Sequence, residues 1–125
     1  MKRIIVAEDD RMTSHLLCAV LRKGGYAAES AFDVSSLFVL CEQLPVPDAV
    51  LLDLNMPGGT GTDSIRRLKR TGALAHVPVI IISGSSVPED QATALALGAY
   101  AFLCKPIDPQ SLLDALRAAL DIVAI

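Results

Sequence analysis

Five polar side chains stand where apolar runs stop. Glu8 and Asp9 follow KRIIVA (2–7), Asp53 closes DAVLLD (48–53), Ser83 closes VPVIIIS (77–83) and Lys105 follows AYAFLC (99–104). Acids are seldom buried without a partner, so an Asp between Val50-Leu51-Leu52 and Leu54 needs a reason to be there. Three carboxylates brought together repel, and one lysine does not neutralise them. Either some carboxyl pKa values rise or a cation binds. Oxygen donors alone favour Mg²⁺ over Zn²⁺, and Mg²⁺ leaves positions open for water and phosphate oxygens. Such a cluster beside a hydroxyl and a lysine supplies what phosphoryl transfer requires, charge neutralisation and positioning. A carboxylate can also be the nucleophile, giving an aspartyl-phosphate. Asp53, held by apolar neighbours, is the best candidate for that part.

These residues can cooperate only if the chain brings their runs side by side. The first three runs are continuously apolar rather than alternating, which fits strands covered on both faces, as in a parallel sheet. YAAESA (26–31) is a weaker fifth strand. Helical patterns fall between them. After Asp10, the series Met12, Leu16, Val20 and the pair Leu17, Leu21 repeat at helical spacing up to Gly24-Gly25. Asp33 caps VSSLFVLCEQ; TDSIRRLKRTG carries Ile65 and Leu68 opposite a basic face. PEDQATALALG opens on Pro88 with acids in its first turn, and Asp108-Pro109 opens a last helix through Leu112, Leu113, Leu116 and Leu120. Strand and helix thus alternate five times. This predicts an α/β fold, a flavodoxin-like doubly wound five-stranded parallel sheet with helices on both faces, right-handed crossovers and strand order 2-1-3-4-5. Ligands of such sheets bind beyond the carboxyl ends of the strands. All five polar groups then converge on one edge.

Composition narrows the function classes. The 125 residues are 52% hydrophobic and 20% charged, enough apolar material for one domain over residues 1–125. With 4% aromatics and no Trp, the core is aliphatic. A net charge of −3 gives no footprint for nucleic acid or an anionic membrane. Cys18, Cys41 and Cys104 have neither metal-ligand nor redox spacing and read as small buried residues of a reducing, cytoplasmic compartment. MKRIIV is too short an apolar start for a signal peptide, and Pro78, Pro88, Gly72 and Gly84 break the uncharged stretch 71–88.

The ordered set of Glu8-Asp9, the segment D-x-N-M-P (Asp53, Asn55, Met56, Pro57) with Gly61 four residues after the proline, Ser83 and Lys105-Pro106 resembles the receiver domain of two-component response regulators. The resemblance spans essentially the whole chain. It implies that Asp53 accepts a phosphoryl group from a histidine kinase's phosphohistidine or from a phosphotransfer protein. It implies Mg²⁺ bound by Asp9 and Asp53, by the Asn55 carbonyl and by Glu8 through water. Lys105 would pair with the acids and then with the phosphate, and Ser83 would turn to hydrogen-bond it. Phe102 matches the aromatic that moves with that hydroxyl. Lys105-Pro106 would be cis, an isomer open only to X-Pro bonds. The face formed by the fourth helix, fifth strand and fifth helix would bind a downstream target, a fused output domain or a second copy. Neither direct nucleic-acid binding nor a membrane is implied.

The departures are mild: Glu8 for the commoner Asp, Ser83 for Thr, and Phe102 without a tyrosine hydroxyl. Gly58-Gly59 makes the loop after Pro57 permissive. GGTGTD (58–63) lacks the lysine of a phosphate-binding loop and reads as a turn. Asp10 and Asp108 read as helix caps, His15 and His76 as surface residues, and Arg66, Arg67, Lys69 and Arg70 as a solvated helix face. Two rival functions have different signatures. A Mg²⁺-dependent phosphohydrolase using an aspartyl-phosphate usually has a second acid two residues after its nucleophile, where Asn55 stands here. A pseudo-receiver that never takes phosphate has no need of Asp9, Asp53, Ser83 and Lys105 together. Met1 close to the first strand suggests a natural amino terminus, while the apolar ending DIVAI equally suits a boundary inside a longer helix.

Overall fold

The computed structural model describes residues 1–85 and 87–124, with the side chains of 122–124 left aside. Five strands, β1 (Arg3–Ala7), β2 (Ala27–Ala31), β3 (Ala49–Asp53), β4 (Val79–Ser83) and β5 (Ala101–Cys104), form one sheet in the order β2-β1-β3-β4-β5, with every pair parallel. Between them run α1 (Arg11–Lys23), α2 (Val34–Cys41), α3 (Gly61–Arg70), α4 (Pro88–Ala96) and α5 (Pro109–Ala124). The expected topology is present.

Strand alternation divides the core in two. Ile4, Val6, Leu51, Ile80 and Ile82 pack with Leu17 and Leu21 of α1 and Leu112, Leu116 and Leu120 of α5. Ile5, Val50, Leu52, Val79 and Ile81 pack with Leu37 and Phe38 of α2, Ile65 and Leu68 of α3 and Ala94 of α4. Every residue of β3 and β4 is buried, which is why those runs carry no polar alternation before their terminal Asp53 and Ser83. Among the described residues, no helix is long and apolar enough to cross a membrane.

Four helices start on side-chain caps: Asp10 accepts from Thr13 N–H, Asp33 from Ser36 N–H, Thr60 from Asp63 N–H and Asp108 from Ser111 N–H. Each cap is worth about 1 kcal/mol. α4 differs. Val87 stands at its N-cap position without a side-chain oxygen, and Ala94 is the buried residue of its span.

Two readings of the sequence need correction, and one element was not expected. Met12 and Leu16, expected with Val20 on the inner stripe of α1, are 73% and 59% exposed. The buried stripe is Ser14, Leu17, Cys18 and Leu21. Ser14 and Cys18 can be buried because both meet the Ser30 hydroxyl of β2, at 3.0 and 3.3 Å. Cys104 is exposed rather than buried, since it closes the edge strand β5. A 3₁₀ helix at Gly72–His76, not foreseen, joins α3 to β4. The Lys69 ammonium donates to the Val77 carbonyl (3.0 Å) at its end.

At the sheet end away from the acids, Arg3 pairs with Glu29 and donates to the carbonyls of Leu40 (2.7 Å) and Pro45 (3.0 Å). This holds β2 and the chain after α2 against β1.

Candidate functional site

At the carboxyl end of β1, Glu8 N–H still bonds to Ala31 O (3.0 Å), so the parallel ladder runs one residue past the strand. That bond fixes Glu8, which is buried, while Asp9 beside it is exposed. Asp53 ends β3 in the centre of the sheet and is 4% exposed. The ladder between β4 and β5 likewise runs on through Lys105 N–H to Ser83 O (2.7 Å), just before the cis Lys105-Pro106 bond. Sheet pairing therefore places an acid from β1, an acid from β3 and a lysine from the end of β5 at one edge.

The groups meet. Glu8, Asp9 and Asp53 each offer a carboxylate oxygen, all within 4.8 Å of one another. Lys105 Nζ donates to Asp53 Oδ2 (3.1 Å) and makes an ion pair with Glu8 Oε1. The second Asp53 oxygen, Oδ1, accepts from Asn55 N–H (3.0 Å), and Glu8 Oε2 accepts from Asp10 N–H (3.2 Å). Glu8 Oε1 is buried, and its partner is the Lys105 ammonium of that ion pair.

Burial pushes the Glu8 carboxyl up from 4.5 to about 7; Lys105 opposes the rise and the nearby Asp53 adds to it. Burial works against the Lys105 ammonium, but its bonds to Glu8 and Asp53 outweigh that and raise its pKa. Lys105 pairs with Glu8 and Asp53, and one cation beside three acids leaves negative charge in excess. Three converging carboxylates in an all-oxygen set fit a hard divalent cation at this position.

The other candidates are placed as follows. Ser83 is fully buried, and its Oγ accepts from Ser85 N–H (3.1 Å). Phe102 is half-buried in β5, in register with Ile81, and packs against the α2–α3–α4 side of the core. Asn55 lies in the turn after Asp53. That turn is closed by Gly61 N–H bonding Leu54 O (3.1 Å). A Cβ on Gly61 would lie 2.5 Å from Leu54 Cα, so only glycine fits. Gly58 has φ +99°, a left-handed conformation that a side chain disfavours. Val34 N–H at the start of α2 donates to Pro57 O (3.0 Å) and ties the loop down. His15 and His76 are exposed, away from the cluster.

Sequence reasoning missed the surroundings of Lys105. A groove of about 490 Å³, lined by Thr13, Leu16, Leu17, Lys105, Pro106 and Ile107, opens beside it. Leu16, part of the apolar helical series in the sequence, is exposed at this groove.

A model of the response regulator receiver domain family matches residues 4–117. The chain belongs to that family. This receiver is 32% identical to protein PilH of Pseudomonas aeruginosa, over 96% of this chain and 98% of PilH. It is also 32% identical to the phosphate regulon transcriptional regulatory protein PhoB of Escherichia coli, over 95% of this chain. It spans only about half of PhoB, 52% of that protein's length. Among solved structures, a sensor protein from Polaromonas sp. JS666 superposes with a TM-score of 0.89 at 27% identity, covering 98% of both chains.

Proposed function

We propose that this receiver domain, residues 1–125, is a phosphorylation-dependent switch whose phospho-acceptor is Asp53. The observation that carries the reading is the setting of that carboxylate: buried at a central strand end, one oxygen on Lys105 and the other on Asn55 N–H, within reach of two more acids.

In the reaction, a carboxylate oxygen of Asp53 attacks the phosphorus of a phosphohistidine. The P–N bond breaks, an acyl-phosphate O–P bond forms, and the imidazole leaves, taking a proton from solvent. Asp9 and Asp53, the Asn55 carbonyl and, through water, Glu8 would hold Mg²⁺, which supplies charge neutralisation for the phosphoryl oxygens. Lys105 exchanges its contact with Asp53 for one with the phosphoryl group. Ser83 contributes its hydroxyl, and Phe102 repacks beside it. The domain catalyses only its own phosphorylation and dephosphorylation.

Phosphate adds charge where Lys105, at the end of β5, and Ser83, at the end of β4, approach it. The rearrangement reaches the α4–β5–α5 face. Two observations support that route: β5 is a half-exposed edge strand, and α4 buries Ala94 within its span. This face would bind a downstream protein, a fused output domain or a second copy. The phosphodonor, a histidine kinase or a phosphotransfer protein, would approach over the groove beside Lys105. The setting is cytoplasmic.

Incubation with acetyl phosphate and Mg²⁺, read by intact mass, tests the reading. Wild type should gain one phosphoryl group, and neither Asp53→Asn nor metal-free protein should. Equal labelling of wild type and Asp53→Asn would overturn it.

A further inference from the structure

The hydroxyl that must reach the phosphoryl group is tethered elsewhere. Ser83 Oγ accepts from Ser85 N–H at 3.1 Å. Ser85 is itself held from two sides. Its Oγ donates to Asp90 Oδ2 in the first turn of α4 (2.6 Å) and accepts from Val87 N–H (3.2 Å). The reason is local. The N-cap position of α4 is Val87, which has no side-chain oxygen; its own N–H is held by Ser85 Oγ, and that hydroxyl is held by Asp90 of the first turn. Tying Ser85 to the start of α4 and placing the amide that restrains Ser83 are therefore one arrangement.

We propose that Asp90 and Ser85 form a latch that holds Ser83 in the unphosphorylated position, making Asp90 a positioning residue for the switch hydroxyl. This inference rests on the phosphorylation reading above and adds a control to it. The chain of contact is Asp90 carboxylate, Ser85 hydroxyl, Ser85 amide, Ser83 hydroxyl. Turning Ser83 toward a phosphoryl oxygen at Asp53 gives up the Ser85 amide, and the latch makes that harder. A ligand that favours the turned state binds more weakly by the cost of leaving the resting one. Asp90 is exposed and at the far end of that chain, so its influence goes through Ser85.

Beryllofluoride, which mimics the phosphoryl group, is titrated calorimetrically into Mg²⁺-saturated protein. Ser85→Ala and Asp90→Ala should each bind it about three- to tenfold more tightly than wild type, the range that one hydrogen bond commands. The double variant should bind no more tightly than either single one, because both break the same link. Ser85→Thr, which keeps a hydroxyl, should return to wild-type affinity. A purely structural cap would lower the melting temperature of each variant and leave beryllofluoride affinity unchanged. Unchanged or weaker binding by either folded single variant, or additive effects in the double, overturns the latch. Wild type failing to bind beryllofluoride, or Asp53→Asn binding it equally, overturns the phosphorylation reading and the latch with it. Those failures differ from a latch failure, in which wild type binds normally.

Discussion

Glu8 carries the pH behaviour of the acidic cluster. Its carboxyl is buried and pushed up to about 7, so near neutrality it divides between its charged and uncharged forms. A divalent cation favours the charged form, and binding below that pKa must displace a proton. Apparent Mg²⁺ affinity should therefore rise between about pH 6 and pH 8 and level off above, with up to one proton released. Titration calorimetry in buffers of different ionisation enthalpy measures the proton count. In Glu8→Gln the slope should vanish. Stability without metal runs the opposite way. The folded pKa lies above the unfolded one, so the fold favours the protonated acid. That contribution is full below 4.5 and lost as pH rises through about 7. The melting temperature of metal-free wild type should fall over that interval relative to Glu8→Gln. The acids themselves were legible in the sequence, because each follows an apolar run that has to end at a sheet edge. The altered pKa of Glu8 was legible only as one of two alternatives for the cluster, a raised carboxyl pKa or a bound cation. Which acid is fully buried depends on one extra ladder bond, Glu8 N–H to Ala31 O, and no residue pattern records it.

Elements place these residues, and their junctions carry most of the constraint. The turn from β3 into α3 passes so close to itself that Gly61 faces the Leu54 backbone with no room for a methyl group. Gly84, after β4, has nothing among the described residues within 4 Å of where its Cβ would be. The two glycines look alike in the sequence and should behave differently. Gly61→Ala should cost about 1–3 kcal/mol, because the turn has to move. Gly84→Ala should stay within about 0.5 kcal/mol. Urea denaturation, read as a shifted midpoint at constant slope, distinguishes them. Because Leu54 directly follows Asp53, Gly61→Ala should also weaken Mg²⁺ binding. The strands were readable because β1, β3 and β4 are apolar without alternation. The caps Asp10, Asp33 and Asp108 were readable because helix starts select short acceptors. The buried stripe of α1 was not. Two of its members, Ser14 and Cys18, are buried by bonding to Ser30, which a count of apolar residues passes over. The 3₁₀ helix at Gly72–His76 escaped for a related reason. It is closed by backbone bonds and by the Lys69 ammonium on the Val77 carbonyl rather than by an apolar period.

At the scale of the whole molecule, strand order turns scattered residues into a site. Placing β1, β3, β4 and β5 side by side puts positions 8, 53, 83 and 105 on one edge, and that convergence follows from the alternation of strand and helix alone. The resting position of the Ser83 hydroxyl does not follow from topology. It rests on the local bond from the Ser85 amide. Binding at this edge acts on both halves of the core, because Asp53 lies between strands that pack helices on either face. A ligand that binds only the folded edge therefore stabilises the domain as a unit. At a hundred times its dissociation constant it contributes about 2.7 kcal/mol. For a domain of this size that corresponds to a rise in melting temperature of roughly 10 °C. Beryllofluoride with Mg²⁺ should produce a rise of that order in wild type by differential scanning calorimetry. Mg²⁺ alone should give less, since it engages only the acids and the Asn55 carbonyl. In Asp53→Asn the beryllofluoride increment should disappear, while folding without ligand is retained. An increment of the same size in Asp53→Asn would place the anion somewhere other than the end of β3.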